Sequence, residues 1–269
     1  MNWNIVKGAC LALLPVAGTL KAQEKPNIVV ILADDLASNE ISCYGGKNLK
    51  TPNIDRIAEE GIRFTNNFAS CAMSVPIRAS LYTGLYPARH GSYQNHKISY
   101  SDIKSVTYYL PQAGYRVGRA GKTHTVPKSV FNFEKVPGFE ENCIAVTADY
   151  TVDGIRDFMR QDSPFCLFVC STLSHAPWTC GNKDEFDADK VILPPNCVDN
   201  KGTRELFRRL LAEIRALDNQ VGDVLKTIEE VGKLDNTLVV FLGEQGPQLP
   251  GGKWTCWNYC LLYTSPSPR

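Results

Sequence analysis

The sequence predicts an α/β fold in which a largely parallel central sheet is flanked by helices on both faces. Four runs have the length of strands, the first of them continuously apolar and typical of burial on both faces, and helical patterns precede the second and the fourth. These runs are residues 28–33, 115–120, 164–173 and 234–242. Strands that alternate with helices indicate parallel pairing, because parallel neighbours need a long crossover connection.

Three helices are predicted from apolar spacing and end signals. Residues 51–61 start with Thr-Pro and stop at a glycine, and residues 106–113 contain Pro111, which we expect to kink or end the helix early. Residues 205–231 have apolar residues at spacings of three and four, which predicts a long amphipathic helix. These residues are Leu206, Leu210, Ile214, Leu217, Val221, Val224, Ile228 and Val231.

Composition narrows the class of protein. The chain has 269 residues, a formal net charge of +1 and 43% hydrophobic residues. This length allows one large domain or two small ones, and the near-neutral charge argues against nucleic-acid binding. The ten cysteines form no CxxC pair, so we expect most of them to be buried apolar residues, and a disulfide between two of them stays open.

The two ends of the chain carry separate signals. Residues 1–22 contain Lys7, an apolar run at 9–17 and a small-residue end, which predicts a secretory signal cut before Gln23. The run is too short to cross a bilayer, so we expect export to the periplasm or the outside of the cell without a membrane span. Residues 260–269 are typical of a translated sequencing adapter, and we expect a non-native tail there.

The most informative stretch for chemistry is residues 70–84, where Ser74 lies four residues before Arg78 with Pro76 between them. Pro76 suits the first turn of a helix, and Gly84 suits its end. Ser74 would then lie at a helix N-terminus, where free N–H groups and Arg78 favour an anion. This arrangement could hold an oxyanion ester. The alternative is a serine that only caps a surface helix.

Charged residues follow the predicted strands. Asp34 and Asp35 follow the first strand, and two adjacent carboxylates repel each other unless a cation lies between them. Lys122 and His124 follow the second strand, and His175 follows the third. Each of these residues could instead have a purely structural role. The acids could form a turn or cap a helix, the lysine could be solvated, and the histidines could cap a helix or pack in the core.

Residues 74–91 resemble the signature of the sulfatase family. Ser74, Pro76 and Arg78 match its Cys or Ser-x-Pro-x-Arg pattern, and Ala-Ser-Leu-Tyr-Thr-Gly and Tyr-Pro-Ala-Arg-His-Gly follow. In that family the first residue is oxidised to formylglycine, whose hydrate attacks sulfur. The resemblance implies that Ser74 is modified, in the serine-type version of the signature. Cys71 lacks the proline and arginine at the matching distances, and we interpret it as a packing residue.

The resemblance covers nearly all of residues 25–254 and implies an alkaline-phosphatase-like or sulfatase-like fold. Residues 23–259 would form an N-terminal sulfatase catalytic domain whose C-terminal part is missing, with natural sequence to about Tyr259. Residues 62–69 would form the strand that leads to the nucleophile. The implied catalytic residues are Ser74, Arg78, Lys122, His124, His175 and Lys253. The implied metal ligands are Asp34, Asp35, Ser74, Glu244 and Gln245.

One departure from the family pattern falls on the metal ligands. The family usually has Ser-Asp-His-Gly or Ser-Asp-Asn-Gly where this chain has Gly-Glu-Gln-Gly at residues 243–246. Glu244 and Gln245 keep oxygen donors, which suit Ca²⁺ or Mg²⁺, and each side chain is longer by one methylene. Lys253 lies where the family has a second sulfate-binding lysine.

The resemblance implies a secreted sulfatase that hydrolyses sulfate esters of polysaccharide or glycosaminoglycan sugars. Ca²⁺, or Mg²⁺, would polarise a sulfate oxygen, and Arg78, Lys122 and Lys253 would offset charge on the transferred group. His175 would protonate the leaving atom, and His124 would help the hydrate to release sulfate. The implied partners are a sulfated carbohydrate and a formylglycine-generating maturase.

Three alternatives stay open from the sequence. The first is a sulfamidase that acts on N-sulfated glucosamine. The second is a phosphatase or phosphodiesterase of the same superfamily with unmodified Ser74 as nucleophile, which would need a two-zinc site for which histidine and acid ligands are few. The third is an inactive fragment or a non-catalytic binding protein that retains the pocket, whose sheet would have an exposed edge.

Overall fold

The computed structural model describes residues 25–142, 147–250 and 252–254, and a five-stranded sheet forms its centre. The strands are β1 Asn27–Ala33, β2 Arg116–Gly121, β3 Glu134–Val136, β4 Phe165–Cys170 and β5 Thr237–Gly243. Their order is β3-β2-β4-β1-β5, and every neighbouring pair is parallel. The predicted α/β class and parallel sheet are confirmed.

Six α-helices lie in the described part of the chain. They are α1 Pro52–Glu60, α2 Ser74–Thr83, α3 Pro87–His90, α4 Val106–Gln112, α5 Asp153–Met159 and α6 Lys201–Glu230. The helices predicted from apolar spacing are confirmed as α1, α4 and α6, and the helix predicted between Ser74 and Gly84 is confirmed as α2. Helix α4 ends one residue after Pro111. The elements β3, α3 and α5 were not predicted; β3 and α3 have only three and four residues, which is too few for a periodic pattern.

Helices cover both faces of the sheet, as predicted. Val29 and Ile31 of β1 belong to the same buried cluster as Leu217 of α6. Val30 belongs to a second cluster, which contains Tyr82 of α2. Because side chains alternate along a strand, this division shows that β1 is buried on both faces and explains its continuous apolar run.

The buried stripe of α6 differs from the prediction at one end. Six of the eight predicted residues are buried: Leu210, Ile214, Leu217, Val221, Val224 and Ile228. Val231 is half-buried and lies one residue beyond the helix. Leu206 is 47% exposed, whereas Phe207 is buried, so the prediction for Leu206 was wrong. The spacing could not distinguish the two residues. Phe207 lies three residues before Leu210 and Leu206 lies four before it, and both positions are on the same side of a helix as Leu210.

Residues 62–69, which the family resemblance implied to be a strand, have no regular secondary structure. Ile62 is 81% exposed and Phe64 is 67% exposed. Both sides of β1 are already paired, with β4 and β5, so no place is left beside the central strand. Phe64 and Phe68 instead line an open cavity of about 550 Å³ next to β5. The fourth predicted strand also begins later, at Thr237, because Leu234–Asn236 form a 3-10 turn.

Several predictions fall on other parts of the chain. The signal segment at 1–22 and the tail at 260–269 lie outside the described residues, so the domain limits stay predictions. In the described ranges, no helix is long and apolar enough to cross a membrane. The six described cysteines are free thiols, three of them buried and three half-buried: Cys43, Cys71, Cys166, Cys170, Cys180 and Cys197.

A buried carboxylate joins α6 to the start of α1. Asp218 Oδ1 accepts the backbone N–H of Ile54 at 3.0 Å, and Oδ2 accepts the side-chain N–H of Asn53 at 3.0 Å. The first turn of a helix has N–H groups without helical partners, and Asp218 satisfies them from outside. The position of α1 against α6 therefore depends on this side chain.

We expect Asp218→Asn to lower the free energy of unfolding by about 1–3 kcal/mol, because an amide N–H₂ would replace one of the two acceptor oxygens and leave a buried N–H without a partner. Urea unfolding measures the effect. Lys226→Gln, an exposed change on the same helix, is the control and should shift stability by less than about 0.5 kcal/mol. Equal stability of the two variants would contradict the prediction.

Candidate active site

The predicted site residues meet at the carboxyl ends of neighbouring parallel strands. Asp34 and Asp35 directly follow β1, Lys122 follows β2, and Glu244 follows β5. His175 lies in the segment after β4. Because these four strands are neighbours and run in the same direction, their carboxyl ends form one edge. Ligand sites of open α/β sheets form at this edge.

Helix α2 holds Ser74 over this edge. Ser74 is the first residue of α2, Pro76 lies in the first turn, and Gly84 closes the helix at φ 70°, a left-handed conformation that glycine adopts without strain. These predicted features of α2 are confirmed. The buried Ser74 hydroxyl donates a hydrogen bond to Glu244 Oε2 at 2.8 Å, and its Oγ lies 3.4 Å from Asp34 Oδ1.

Arg78 lies one turn further along α2 and pairs with the same two acids. Its Nε lies 2.6 Å from Glu244 Oε1, and Nη2 lies 3.6 Å from Asp34 Oδ1, with all three side chains fully buried. Burial lowers the pKa of Arg78, but Glu244 and Asp34 outweigh it and raise the pKa above its ordinary value. Burial raises the pKa of Glu244 to about 7, although Arg78 opposes the shift.

Lys122 contacts the second oxygen of Asp34. Its backbone N–H donates to the Cys170 carbonyl at 2.9 Å, which joins the ends of β2 and β4. Burial acts to raise the pKa of Asp34, but Lys122 and Arg78 hold that pKa well below its usual range. Asp34 is therefore ionised at neutral pH.

Asp35 has a different set of partners from its neighbour. Lys253 Nζ lies 2.7 Å from Asp35 Oδ2, and the Gln245 amide contacts Oδ1. Asp35 has φ 52°, in the left-handed region that few residues other than glycine adopt. Burial and the nearby Asp34 charge raise the pKa of Asp35 above its ordinary value.

His175 extends the cluster through Lys253. His175 Nδ1 lies 2.6 Å from the Ala176 carbonyl oxygen, so Nδ1 carries a proton and Nε2 is an acceptor. Lys253 Nζ lies 2.8 Å from that Nε2, and Asp35 Oδ2 lies 3.5 Å from it. Burial lowers the pKa of His175, and the acids Asp34 and Asp35 oppose the shift.

His124 lies beside the cluster without a hydrogen bond to it. No residue in the described part of the chain pairs with its buried Nδ1, and its ring centroid lies 5.7 Å from that of His96. Burial lowers the pKa of His124 to about 3, and the nearby charges of Lys122 and Arg78 act in the same direction. The structure thus brings together the predicted site residues, with His124 at the margin.

The acidic residues fit a hard divalent cation. One oxygen each of Asp34, Asp35 and Glu244 lies within 4.8 Å of the others. Two oxygens bound to one Ca²⁺ lie up to about 5 Å apart, because each is roughly 2.3–2.6 Å from the ion. Gln245 Oε1 is buried and accepts no hydrogen bond from a described residue, so it is a further donor. An all-oxygen set suits Ca²⁺ or Mg²⁺.

With all three acids ionised, the charges of the protein side chains balance within the site. Three buried acids face three buried cations, and His175 is neutral. The acids are Asp34, Asp35 and Glu244, and the cations are Arg78, Lys122 and Lys253. A bound divalent cation would make this balanced site positive by two charges. Such a site attracts an anionic ester.

Two residues that the sequence did not single out hold the backbone of the site. Asn95 Oδ1 accepts the N–H of Val75, next to Ser74, at 3.0 Å. Ser174 Oγ donates to the main-chain carbonyl of Asp34 at 2.7 Å. No sequence pattern indicated either contact, because each joins loops that are distant along the chain.

Two further residues near the site were also missed. His96 packs its ring beside His124, and it lies in a polar loop that has no periodic pattern. Glu213 accepts three backbone hydrogen bonds from the segment around His175. A signal for Glu213 was available, since it is a charged residue within the apolar stripe of α6, beside Ile214.

Comparison with known proteins agrees with this architecture. The family model named Sulfatase matches residues 26–259. An ulvan-active sulfatase of Formosa agariphila is 34% identical over 242 residues, which cover 86% of this chain and 46% of that protein. Human N-sulphoglucosamine sulphohydrolase is 28% identical over an alignment 299 residues long, which includes 96% of this chain and 58% of that protein.

A solved structure in complex with its substrate D-glucosamine-2-N,6-O-disulfate shares the fold. Its TM-score is 0.66 at 22% sequence identity, and the match covers 83% of this chain and 66% of that one. Fold and site together define a parallel α/β protein with a buried acidic and basic cluster at its strand ends. The chain belongs to the sulfatase family. It spans about half the length of the two relatives named above.

We expect Arg78→Met to destabilise the protein by about 3–5 kcal/mol in buffer with EDTA, because Glu244 and Asp34 would lose a buried cation while most of the packing remains. Urea unfolding measures the loss. Arg56→Met breaks exposed pairs with Glu60 and Glu229 and should cost less than about 1 kcal/mol. Similar losses of stability in both variants would show that the buried ion pairs of Arg78 contribute no more to stability than the exposed pairs of Arg56.

Proposed function

We propose that the protein is an exported, Ca²⁺-dependent sulfatase that hydrolyses sulfate esters of carbohydrates through a formylglycine at residue 74. The observation that carries this proposal is the buried Ser74 hydroxyl between Glu244 and Asp34 at the N-terminus of α2. A nucleophile there has acidic ligands on one side and Arg78 and Lys122 beside it. An anionic ester needs this combination of groups.

Formylglycine would arise when a maturation enzyme removes two hydrogens from the Ser74 side chain and leaves an aldehyde. The hydrate of this aldehyde has two hydroxyl groups. One oxygen attacks sulfur, and the second hydroxyl then loses its proton, re-forms the aldehyde and expels sulfate. Ser74, Pro76 and Arg78 form the signature that such an enzyme reads in the family.

The acids would hold the cation. Asp34, Asp35, Glu244 and Gln245 surround the position, and the residue-74 oxygen completes the donor set. A bound Ca²⁺ would polarise a sulfate oxygen and favour an ionised oxygen on residue 74. Ion pairs with Lys122 and Arg78 keep Asp34 ionised, so it can serve as a ligand at neutral pH.

Three cations and two histidines would complete the reaction. Arg78, Lys122 and Lys253 offset negative charge on the nucleophile and the transferred group. Lys253 Nζ donates a hydrogen bond to His175 Nε2, so a proton can pass from Lys253 to Nε2 and on to the leaving oxygen, which leaves Lys253 neutral until solvent reprotonates it. His124 is neutral at physiological pH. The family resemblance assigns it a role in helping the hydrate to release sulfate.

The names of the relatives support a sulfated carbohydrate as substrate. One relative is named for ulvan, another for N-sulphoglucosamine, and the solved neighbour contains a disulfated glucosamine. A sulfate ester is the first candidate, and an N-sulfated glucosamine is the alternative. The signal pattern at residues 1–22 supports export, which would bring the enzyme to extracellular or periplasmic polysaccharide.

A phosphatase is the second candidate reaction. It is favoured by one observation, since the unmodified Ser74 hydroxyl already donates to a carboxylate, Glu244, that could accept its proton. Serine would then attack phosphorus directly. The two candidates differ in whether residue 74 is oxidised.

Peptide mass spectrometry tests the modification. When the protein is expressed at its natural length with a maturation enzyme that accepts serine, we expect the Ser74 peptide to be lighter by two hydrogens. Cys71→Ala should keep the mass loss, because Cys71 is outside the signature, and Ser74→Ala should abolish it. A wild-type protein that cleaves phosphate esters while Ser74 stays unmodified would favour the phosphatase.

Thermal unfolding with and without Ca²⁺ tests the metal site. At a Ca²⁺ concentration of about 100 times Kd, binding to the folded protein adds about 2.7 kcal/mol of stability, so the melting temperature should rise by several degrees. Asp35→Asn should abolish this rise, and the surface control Asp235→Asn should keep it. An equal Ca²⁺-induced rise in all three proteins would exclude Asp35 as a ligand.

A further inference from the structure

One buried acid outside the charged cluster is tied to the loop that carries His175. Glu213 lies on the inner face of α6 and is 2% exposed. Its Oε2 accepts the backbone N–H of Ser174 at 3.1 Å. Its Oε1 accepts the N–H groups of Thr179 at 2.7 Å and Cys180 at 3.0 Å. A single carboxylate therefore holds both ends of the 174–180 loop.

A carboxylate suits this position because three N–H donors converge on it. Ionised carboxyl oxygens only accept hydrogen bonds, whereas a glutamine amide would turn an N–H₂ group toward one of the donors. No cation in the described part of the chain forms an ion pair with Glu213, so the backbone donors stabilise it. Burial raises the pKa of Glu213 to about 7, even though these N–H groups oppose the shift.

The same loop is joined to the acidic cluster on its other side. Ser174 has φ 71°, a strained conformation for a residue with a side chain, and its Oγ donates to the Asp34 carbonyl at 2.7 Å. Trp178 Nε1 donates to the Ser174 carbonyl at 3.0 Å and closes the loop. Gly181 packs against α6 so closely that an added Cβ would lie 2.4 Å from the Ala212 carbonyl oxygen.

The position of the imidazole follows from this backbone. His175 Nδ1 is bound to the carbonyl of Ala176, within the loop, so the ring turns with the loop backbone. Its Nε2 then meets Lys253 Nζ at 2.8 Å. We expect that release of the loop by Glu213 would change the ring direction and weaken the contact with Lys253.

We propose that Glu213 is a positioning residue, which fixes His175 so that its Nε2 can pass a proton from Lys253 Nζ to the leaving oxygen of the ester. The inference rests on the proposed function, in which His175 is the general acid. Through Glu213, helix α6 would therefore affect how readily esters with poor leaving groups are cleaved, in addition to its packing against the sheet.

The dependence of the rate on the leaving group tests this role. Phenol is a poor leaving group that needs a proton, whereas 4-nitrophenol leaves readily without one. For Glu213→Gln in the matured protein of natural length, we expect kcat/KM for phenyl sulfate to fall by about 10- to 100-fold and for 4-nitrophenyl sulfate by less than about threefold. His175→Ala should show the same selectivity with a larger loss.

Asp218→Asn provides a matched control. Asp218 is also a buried carboxylate of α6 that accepts backbone N–H bonds, but it holds α1 instead of the 174–180 loop. We expect this variant to lose stability and to keep the wild-type ratio of the two rates. If Glu213→Gln does not fold, Glu213→Asp keeps the charge but cannot reach all three donors, and it should show the selective loss.

The outcomes separate the inference from the proposed function. If His175→Ala is selective for phenyl sulfate but the Glu213 variants lower both rates equally, the positioning role is overturned. If His175→Ala is not selective, His175 is not the acid, and both the inference and that part of the proposed function are wrong. If the wild-type protein cleaves only phosphate esters, the sulfatase proposal fails, and the same ratio for phenyl and 4-nitrophenyl phosphate decides the role of Glu213.

Discussion

The pairing of three buried acids with three buried cations is the interaction on which the arrangement at the strand ends depends. The acids are Asp34, Asp35 and Glu244, the cations are Arg78, Lys122 and Lys253, and none is more than 5% exposed. A buried charge without a partner costs several kcal/mol, so each group restricts where the others can lie. These pairs fix α2 and the segment around Lys253 against the ends of β1 and β5.

The parallel sheet makes this pairing possible. Each strand that contributes to the site ends at the same edge, and α2 lies across that edge with its N-terminus over the acids. If β5 ran in the opposite direction, Glu244 would lie at the far edge and Arg78 would lose its closest partner. The pairing of charges at the site therefore depends on the parallel direction of the strands.

Helix α6 supports the site from behind the sheet. Its apolar stripe forms much of one core, and two carboxylates within that stripe, Asp218 and Glu213, bind backbone N–H groups of other elements. Burial raises the pKa of both acids, which reflects the cost of removing them from water. The two carboxylates contribute by positioning other elements, because α1 and the 174–180 loop are each held by hydrogen bonds to a carboxylate of α6.

The sequence by itself determined the α/β class, the four main strands, the limits of α2 and the charged residues at strand ends, because apolar periodicity, Pro76 and Gly84 act locally. The roles of the site residues stay predictions. Only the tertiary structure decided that Phe207 is buried in place of Leu206 and that residues 62–69 form no strand. It also decided that Lys253 meets His175 and that Glu213 holds the loop. These facts depend on contacts between residues far apart in the chain, which local spacing does not encode.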